Sequence, residues 1–183
     1  MKPTEILMEE HQLILRVLEA TEKNLAFLRE GKGNLLFFLD LADFIVNFTD
    51  KCHHAKEEGI LFKQMEAGGI PVEGGPIGVL LADHEQGRRY TLQMKAAVEK
   101  WQAGDVDAAK TVLVNGQRYV NLLRGHIQKE NDVLFPMADK IISAEHLSEM
   151  EEEFERVEKE ETGAGVHEKY EALAEKLIRG IHE

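Results

Sequence analysis

A histidine and a glutamate four residues apart occur twice in the chain, as His53 with Glu57 and as His126 with Glu130. Side chains at that spacing lie on one face of an α-helix and can contact the same ion. Imidazole nitrogens and carboxylate oxygens are ligands that divalent transition metals accept in proteins. The spacing therefore predicts metal binding by residues on two separate helices.

These two pairs belong to a longer internal repeat. Seventy-three residues separate His53 from His126, and the lysine, aliphatic, leucine and phenylalanine positions that follow also match. The same separation relates His11 to His84, and each of these follows an acidic residue. The repeat predicts that the second half of the chain reproduces a helical hairpin formed by the first, about a pseudo-twofold axis.

Six polar side chains thus recur in one register, on helix faces that are otherwise apolar. Burying them together would cost free energy because buried ionised or unsatisfied polar groups lose their hydration. Two metal ions would remove that cost, since histidines bind divalent metals and each glutamate can bridge both ions. The predicted metal ligands are His11, His53, Glu57, His84, His126 and Glu130.

Apolar residues recur at helical spacing almost throughout, and glycine and proline gather at a few breaks. The longest break, residues 68–76, contains four glycines and two prolines. Four long helices with short connections must pack antiparallel to bury their apolar faces. We therefore predict an all-α protein, with an up-down-up-down four-helix bundle in residues 1–142 and a C-terminal helical extension, residues 143–183, packed on it.

Composition narrows the class of protein. A hydrophobic share of 43% and a charged share of 31% fit a soluble globular chain, and no long apolar segment or signal peptide is apparent. The expected location is therefore the cytoplasm, with no membrane partner. A net charge of -12 predicts no nucleic-acid partner. The single cysteine, Cys52, excludes an intrachain disulfide and a thiolate-rich metal site.

Over about residues 4–140 the chain resembles the hemerythrin-like, or HHE cation-binding, family. The resemblance rests on Glu10-His11, Asp83-His84 and the two histidine–glutamate pairs with the Leu-Phe sequence that follows each of them. It implies two non-haem iron ions, bridged by an oxo or hydroxo group, at the centre of a four-helix bundle. It also implies that the six residues above are the iron ligands, with the two glutamates as bridges.

One position departs from the family pattern. Oxygen-carrying hemerythrins have a fifth histidine one turn after the histidine of the third helix, where this chain has Arg88. We therefore predict no fifth imidazole and an exchangeable position on both metals, which favours reactive chemistry or sensing over reversible oxygen carriage. Arg88 is interpreted equally as a cation near a bridging carboxylate or as a surface residue. Tyr119 is interpreted as a packed core residue more readily than as part of a pocket.

Other polar residues are given smaller roles. His54 lies a third of a turn from His53 in an α-helix and should point away from the site, although His54 with Glu58 is the fallback ligand pair. Cys52 is interpreted as inert packing. The acidic C-terminal segment is interpreted as a solvated face more readily than as a second metal site; its candidate ligands are Glu158, Glu160, Glu161 and His167.

The sequence leaves three functions open. The first is a di-iron protein that binds or senses dioxygen, nitric oxide or iron. The second is a di-iron enzyme that reduces or disproportionates peroxide or reduces nitric oxide. The third is a metal-stabilised interaction protein whose C-terminal helices contact an unknown protein partner. The sequence ranks binding or sensing slightly above catalysis, with a small diatomic molecule or peroxide as the ligand.

Overall fold

The computed structural model describes residues 1–163 and 165–180, without the side chains of residues 160–162, and this part of the chain forms six helices. It contains no strand, so the prediction of an all-α fold is confirmed. The helices are α1 (Pro3–Arg29), α2 (35–67), α3 (Pro76–Gln102), α4 (108–141), α5 (144–163) and α6 (Val166–Arg179).

Helices α2 and α4 contain π-helical turns at corresponding places. One such turn covers Glu57–Leu61 in α2, and another covers Glu130–Leu134 in α4. They lie 73 residues apart, so the repeat in the sequence is also a repeat of the backbone. A further π-helical segment of α2, Ile45–His54, has no counterpart in α4. The corresponding part of α4 is α-helical. The two hairpins therefore differ just before the first histidine–glutamate pair.

Two apolar clusters fill the bundle, one on either side of the layer of predicted ligands. In α1, Leu7 belongs to one cluster and Ile14 to the other, with His11 between them. In α2 the order is reversed, because Phe48 packs with Ile14 and Leu61 packs with Leu7. Helix α3 follows the order of α1, and α4 follows that of α2. This alternation confirms the up-down-up-down arrangement.

The two C-terminal helices bury apolar residues against both clusters. Ser143 caps α5 by accepting a hydrogen bond from the backbone N–H of His146, and α5 then adds Phe154 to the cluster of Leu7. Helix α6 adds Tyr170 to the cluster of Ile14. The division into two parts at residue 142 stays a prediction. Within the described residues, no helix combines the length and the hydrophobicity needed to cross a bilayer.

Candidate metal centre

All six predicted ligands lie in one buried layer between the apolar clusters. Each of the four bundle helices contributes at least one of them, and none has more than 1% of its surface exposed. Helix α1 supplies His11, α2 supplies His53 and Glu57, α3 supplies His84, and α4 supplies His126 and Glu130.

The four histidines form two close pairs. The Nε2 atoms of His11 and His53 are 2.9 Å apart, and those of His84 and His126 are 3.0 Å apart. In a neutral imidazole whose Nδ1 carries the proton, Nε2 has only a lone pair to offer. Two such lone pairs repel at this distance unless a proton or a metal ion lies between them. Each pair therefore provides a place for a cation.

Glu57 lies between the two pairs. Its Oε1 is 3.4 Å from Nε2 of His53, and its Oε2 is 3.4 Å from Nε2 of His84. Neither oxygen has a hydrogen-bond partner, although both are buried. A buried carboxylate without partners is costly, so the position of Glu57 fits a bridge between two cations.

Glu130 repeats this arrangement from α4. Its Oε2 is 3.2 Å from Nε2 of His11, and its Oε1 is 3.1 Å from Nε2 of His126. Both oxygens are again buried without a hydrogen-bond partner. The residues present thus fit two metal ions, each next to one histidine pair and both next to the two carboxylates.

The Nδ1 atom of each of these histidines faces an oxygen of another side chain. Such outer contacts fix the ring and its tautomer and leave Nε2 free for a metal. The Nδ1 distances are 2.8 Å from His11 to Asn131, 2.7 Å from His53 to Glu10, 2.7 Å from His84 to Glu58 and 3.3 Å from His126 to Asp83.

Without metal, protons would take the place of the cations. Burial lowers the pKa of His53, but the carboxylates of Glu57 and Glu10 outweigh it and raise that pKa to about 10. Burial likewise opposes protonation of His126, and Glu130 with Asp83 raises its pKa to about 9. Metal uptake must displace these protons, so acid weakens metal binding.

Two lysines form ion pairs with the carboxylates that contact the histidine Nδ1 atoms, and the two pairs differ in burial. Lys56 donates hydrogen bonds to Glu10 and to Glu158 of α5 and is fully buried. Its counterpart in the repeat, Lys129, bonds to Asp83 and keeps 45% of its side chain exposed. The C-terminal helices therefore cover one of two equivalent ion pairs.

This difference gives a direct prediction about stability. Lys56→Met should lower the free energy of unfolding by about 3 kcal/mol, because it leaves buried carboxylate charge uncompensated. Lys129→Met should cost less than about 1 kcal/mol, because the pair it breaks is partly solvated. Urea unfolding of the metal-loaded variants, followed by circular dichroism, measures both values. Equal losses would contradict the argument from burial.

His54 also lies at the centre, so the prediction that it points away is wrong. Only 5% of it is exposed, and its ring stacks on that of His84 with centroids 3.8 Å apart. One of its ring nitrogens lies within 4.8 Å of ligand atoms of Glu57, His84 and His126. A π-helix has more residues per turn than an α-helix, so adjacent side chains diverge less and both His53 and His54 face inward. A fifth imidazole is therefore present beside the site.

Arg88 contacts the outer carboxylates, and no contact with a bridging glutamate is found among the described residues. Its Nη2 is 2.6 Å from Glu58, which holds His84, and its Nε is 2.8 Å from Asp50. The Oδ1 of Asp50 in turn lies 3.4 Å from Nδ1 of His54. Of the two sequence interpretations, the surface residue is correct in part, because 37% of the Arg88 side chain is exposed, and Arg88 also joins the outer partners of two histidines.

A cavity of about 360 Å³ opens beside His54 and His84. Its walls are mainly apolar and include Tyr119, whose hydroxyl is buried without a hydrogen-bond partner. Tyr119 is therefore a packed core residue, as predicted, that also lines the pocket, and its hydroxyl lacks the hydrogen-bond partner that was expected. Burial raises the pKa of Tyr119, so the hydroxyl stays protonated and can donate a hydrogen bond. The cavity therefore adjoins two histidines of the centre and offers space for a small apolar molecule.

A second group of polar side chains lies under α5 and α6. It brings together Glu10, Cys52, Glu158 and His167, whose ligand atoms lie within 4.8 Å of one another. The ammonium group of Lys56 already bonds to both Glu10 and Glu158 and compensates one of their two negative charges, so this group has less need of a metal ion. The side chains of Glu160 and Glu161 lie outside the described residues.

Comparison with known families agrees with this geometry. The family described as Hemerythrin HHE cation binding domain matches residues 2–138, which is most of the chain. The chain belongs to the hemerythrin HHE cation-binding family. The resemblance inferred from the sequence is thereby confirmed, and the buried histidines and glutamates are groups that could hold the family's metal cations.

The names of the curated relatives state no activity. Uncharacterized protein Rv1995 of Mycobacterium tuberculosis (strain ATCC 25618 / H37Rv) and Uncharacterized protein Mb2018 of Mycobacterium bovis are each 27% identical to this chain over 152 residues. The match covers 82% of this chain but only 59% of either relative. No solved structure gives a significant match.

Proposed function

We propose that the protein is a non-haem di-iron protein that binds dioxygen or nitric oxide in the bundle core and acts as a binding or sensing protein. The observation that carries this proposal is the position of Glu57 and Glu130. Their four buried oxygens lack hydrogen-bond partners and lie between two pairs of histidine nitrogens. Two bound irons would supply the redox chemistry and the exchangeable ligand positions.

The cavity beside His54 and His84 is evidence for a small ligand. It reaches His54 and His84 from outside the bundle, and residues such as Val46 and Leu123 make most of its wall apolar. Dioxygen and nitric oxide are small and weakly polar, so they can enter without losing strong hydration. Iron is proposed as the metal because the chain belongs to the hemerythrin family and its nitrogen and oxygen donors suit iron.

One observation favours a second function, the reduction or disproportionation of peroxide at the same centre. Tyr119 lines the cavity, and its buried hydroxyl has no hydrogen-bond partner. Such a group can donate a hydrogen bond to an oxygen of a ligand in the cavity. An enzyme would use that bond to position peroxide, and a binding protein would use it to retain the ligand.

The test begins with metal analysis of the purified protein and continues with rapid mixing. The reduced protein is mixed in a stopped-flow instrument with dioxygen, nitric oxide or hydrogen peroxide, and absorbance is recorded. About two irons per chain and one stoichiometric colour change with a gas support the binding protein. Turnover of many equivalents of peroxide supports the enzyme instead. A protein purified from iron-rich cells without metal would contradict both.

Narrowing the cavity should slow ligand entry without removing metal. Val46 lines the cavity and is half-buried, so Val46→Trp would place a large ring in its wall. We expect association of nitric oxide to slow by about 10-fold with metal content unchanged. Val79→Trp is the matched control, because Val79 is exposed and lies outside the cavity. Equal association rates for the two variants would mean that ligands enter elsewhere.

A further inference from the structure

We infer that His54 is a third imidazole ligand of the metal beside His84 and His126, so that the two metals have unlike ligand sets. One ion would have three histidines, and the other would have only His11 and His53. The inference rests on the proposed di-iron function and adds an asymmetry that the repeat does not predict.

The position of His54 is that of a ligand. One of its ring nitrogens groups with the ligand atoms of Glu57, His84 and His126, all within 4.8 Å of one another. Its ring centroid lies 3.8 Å from that of His84 and 5.7 Å from that of His126. These three imidazoles and Glu57 thus lie close enough to one another that they could hold a single ion.

The Nδ1 atom of His54 faces a side-chain oxygen, as the Nδ1 atoms of the other histidines do. Each of the four paired histidines presents Nδ1 to an oxygen of a side chain, and Nδ1 of His54 faces Oδ1 of Asp50 at 3.4 Å. That contact lacks hydrogen-bond geometry in the described structure. Arg88 fixes Asp50 through a 2.8 Å hydrogen bond. An oxygen acceptor held at Nδ1 leaves the second ring nitrogen for a metal.

The other hairpin shows that the fold does not require these polar groups. Seventy-three residues after His54 and Asp50 stand Ile127 and Leu123, and the position of Arg88 corresponds to Leu15. Ile127 and Leu123 are buried in the apolar core, and Leu15 packs partly buried against it. Aliphatic residues thus stand at the positions that correspond in sequence, so the repeat does not account for His54, Asp50 and Arg88.

The asymmetry has a consequence for ligands. A third imidazole fills a position on one metal that the other metal keeps exchangeable. His54 also lines the cavity beside His84, so a molecule in the cavity would lie next to this ring. His54 therefore determines which of the two metals such a molecule can reach.

The test compares the parent protein with two variants by iron-57 Mössbauer spectroscopy and by the rate of iron loss to a chelator. His54→Phe keeps a flat ring against His84 but has no nitrogen, and His54→Gln serves if the larger ring disturbs folding. We expect two different iron environments of equal area in the parent and a shift of one of them in the variants. One iron should also leave at least about 10-fold faster in the variants.

The control is His146→Gln, which changes an exposed histidine on α5 and should leave both iron signals as in the parent. If the parent holds two irons and His54→Phe and His54→Gln leave the spectrum and the iron loss unchanged, His54 is not a ligand and the proposed function still stands. If the parent holds no iron pair, the proposed function fails and the inference fails with it.

Discussion

Glu57→Ala is expected to reduce bound metal from about two ions per chain to almost none. Glu57 faces His53 with one oxygen and His84 with the other, and it belongs to both groups of potential ligands in the core. If two ions are bound as proposed, its removal would deprive both of a ligand. Inductively coupled plasma mass spectrometry of the purified variant measures the loss.

The control for this variant is Glu66→Ala, which removes an exposed glutamate from the same helix and should leave the metal content unchanged. Circular dichroism establishes whether the variant remains helical, and Glu57→Gln preserves the size of the side chain if alanine impairs folding. Retention of both metals by the folded Glu57 variants would show that Glu57 is not a bridge.

Removal of metal from the parent should lower its melting temperature by on the order of 10 °C. A metal held by side chains from all four helices would bind the folded bundle in preference to the unfolded chain, so its binding free energy would add to stability. In the metal-free protein, the buried oxygens of Glu57 and Glu130 keep only the protons of nearby histidines as partners. Thermal unfolding before chelation, after chelation and after return of ferrous iron measures the effect.

The Glu57→Ala variant provides the matched control for the melting experiment. Since it should hold almost no metal, chelation should leave its melting temperature unchanged. A parent protein whose melting temperature does not respond to chelation, despite loss of the ions, would show that the centre contributes nothing to stability.

The internal repeat is the reason that the ligand layer and the two hairpins could be predicted from the sequence. The separation of 73 residues relates His11 to His84 and Glu57 to Glu130, and the structure brings all four side chains into one buried layer. The same repeat favours two similar hairpins, and the all-α antiparallel bundle is confirmed. Periodicity works here because each helix buries one face along its whole length.

The position of His54 could not be predicted from the repeat. Its counterpart is Ile127, so a search for positions shared by the two halves passes over it. Its direction also depends on the π-helical segment Ile45–His54, which forms in one hairpin only. A prediction from α-helical periodicity assumes 3.6 residues per turn. It gives the wrong direction for a side chain in a π-helical segment, which has more residues per turn. The adjacent pair of histidines was the available signal.

The side-chain oxygens that contact the histidine Nδ1 atoms could be predicted only in part. Glu10 and Asp83 precede histidines at the same offset and are visible in the sequence, but Glu58 and Asn131 differ in type. Their contacts also cross between hairpins, from His84 to Glu58 and from His11 to Asn131. Contacts between distant segments depend on how the helices pack, which spacing along one helix does not give.

These crossed contacts also bear on how such a centre could arise. A single hairpin carries histidines whose supporting oxygen lies on the other hairpin, so alone it would hold an incomplete site. Two identical hairpins facing each other would supply every missing group, with one metal on each side of the symmetry axis. In such an arrangement every residue occurs twice. A histidine that serves one metal only, as we infer for His54, becomes possible once both hairpins are encoded in one chain and can mutate independently.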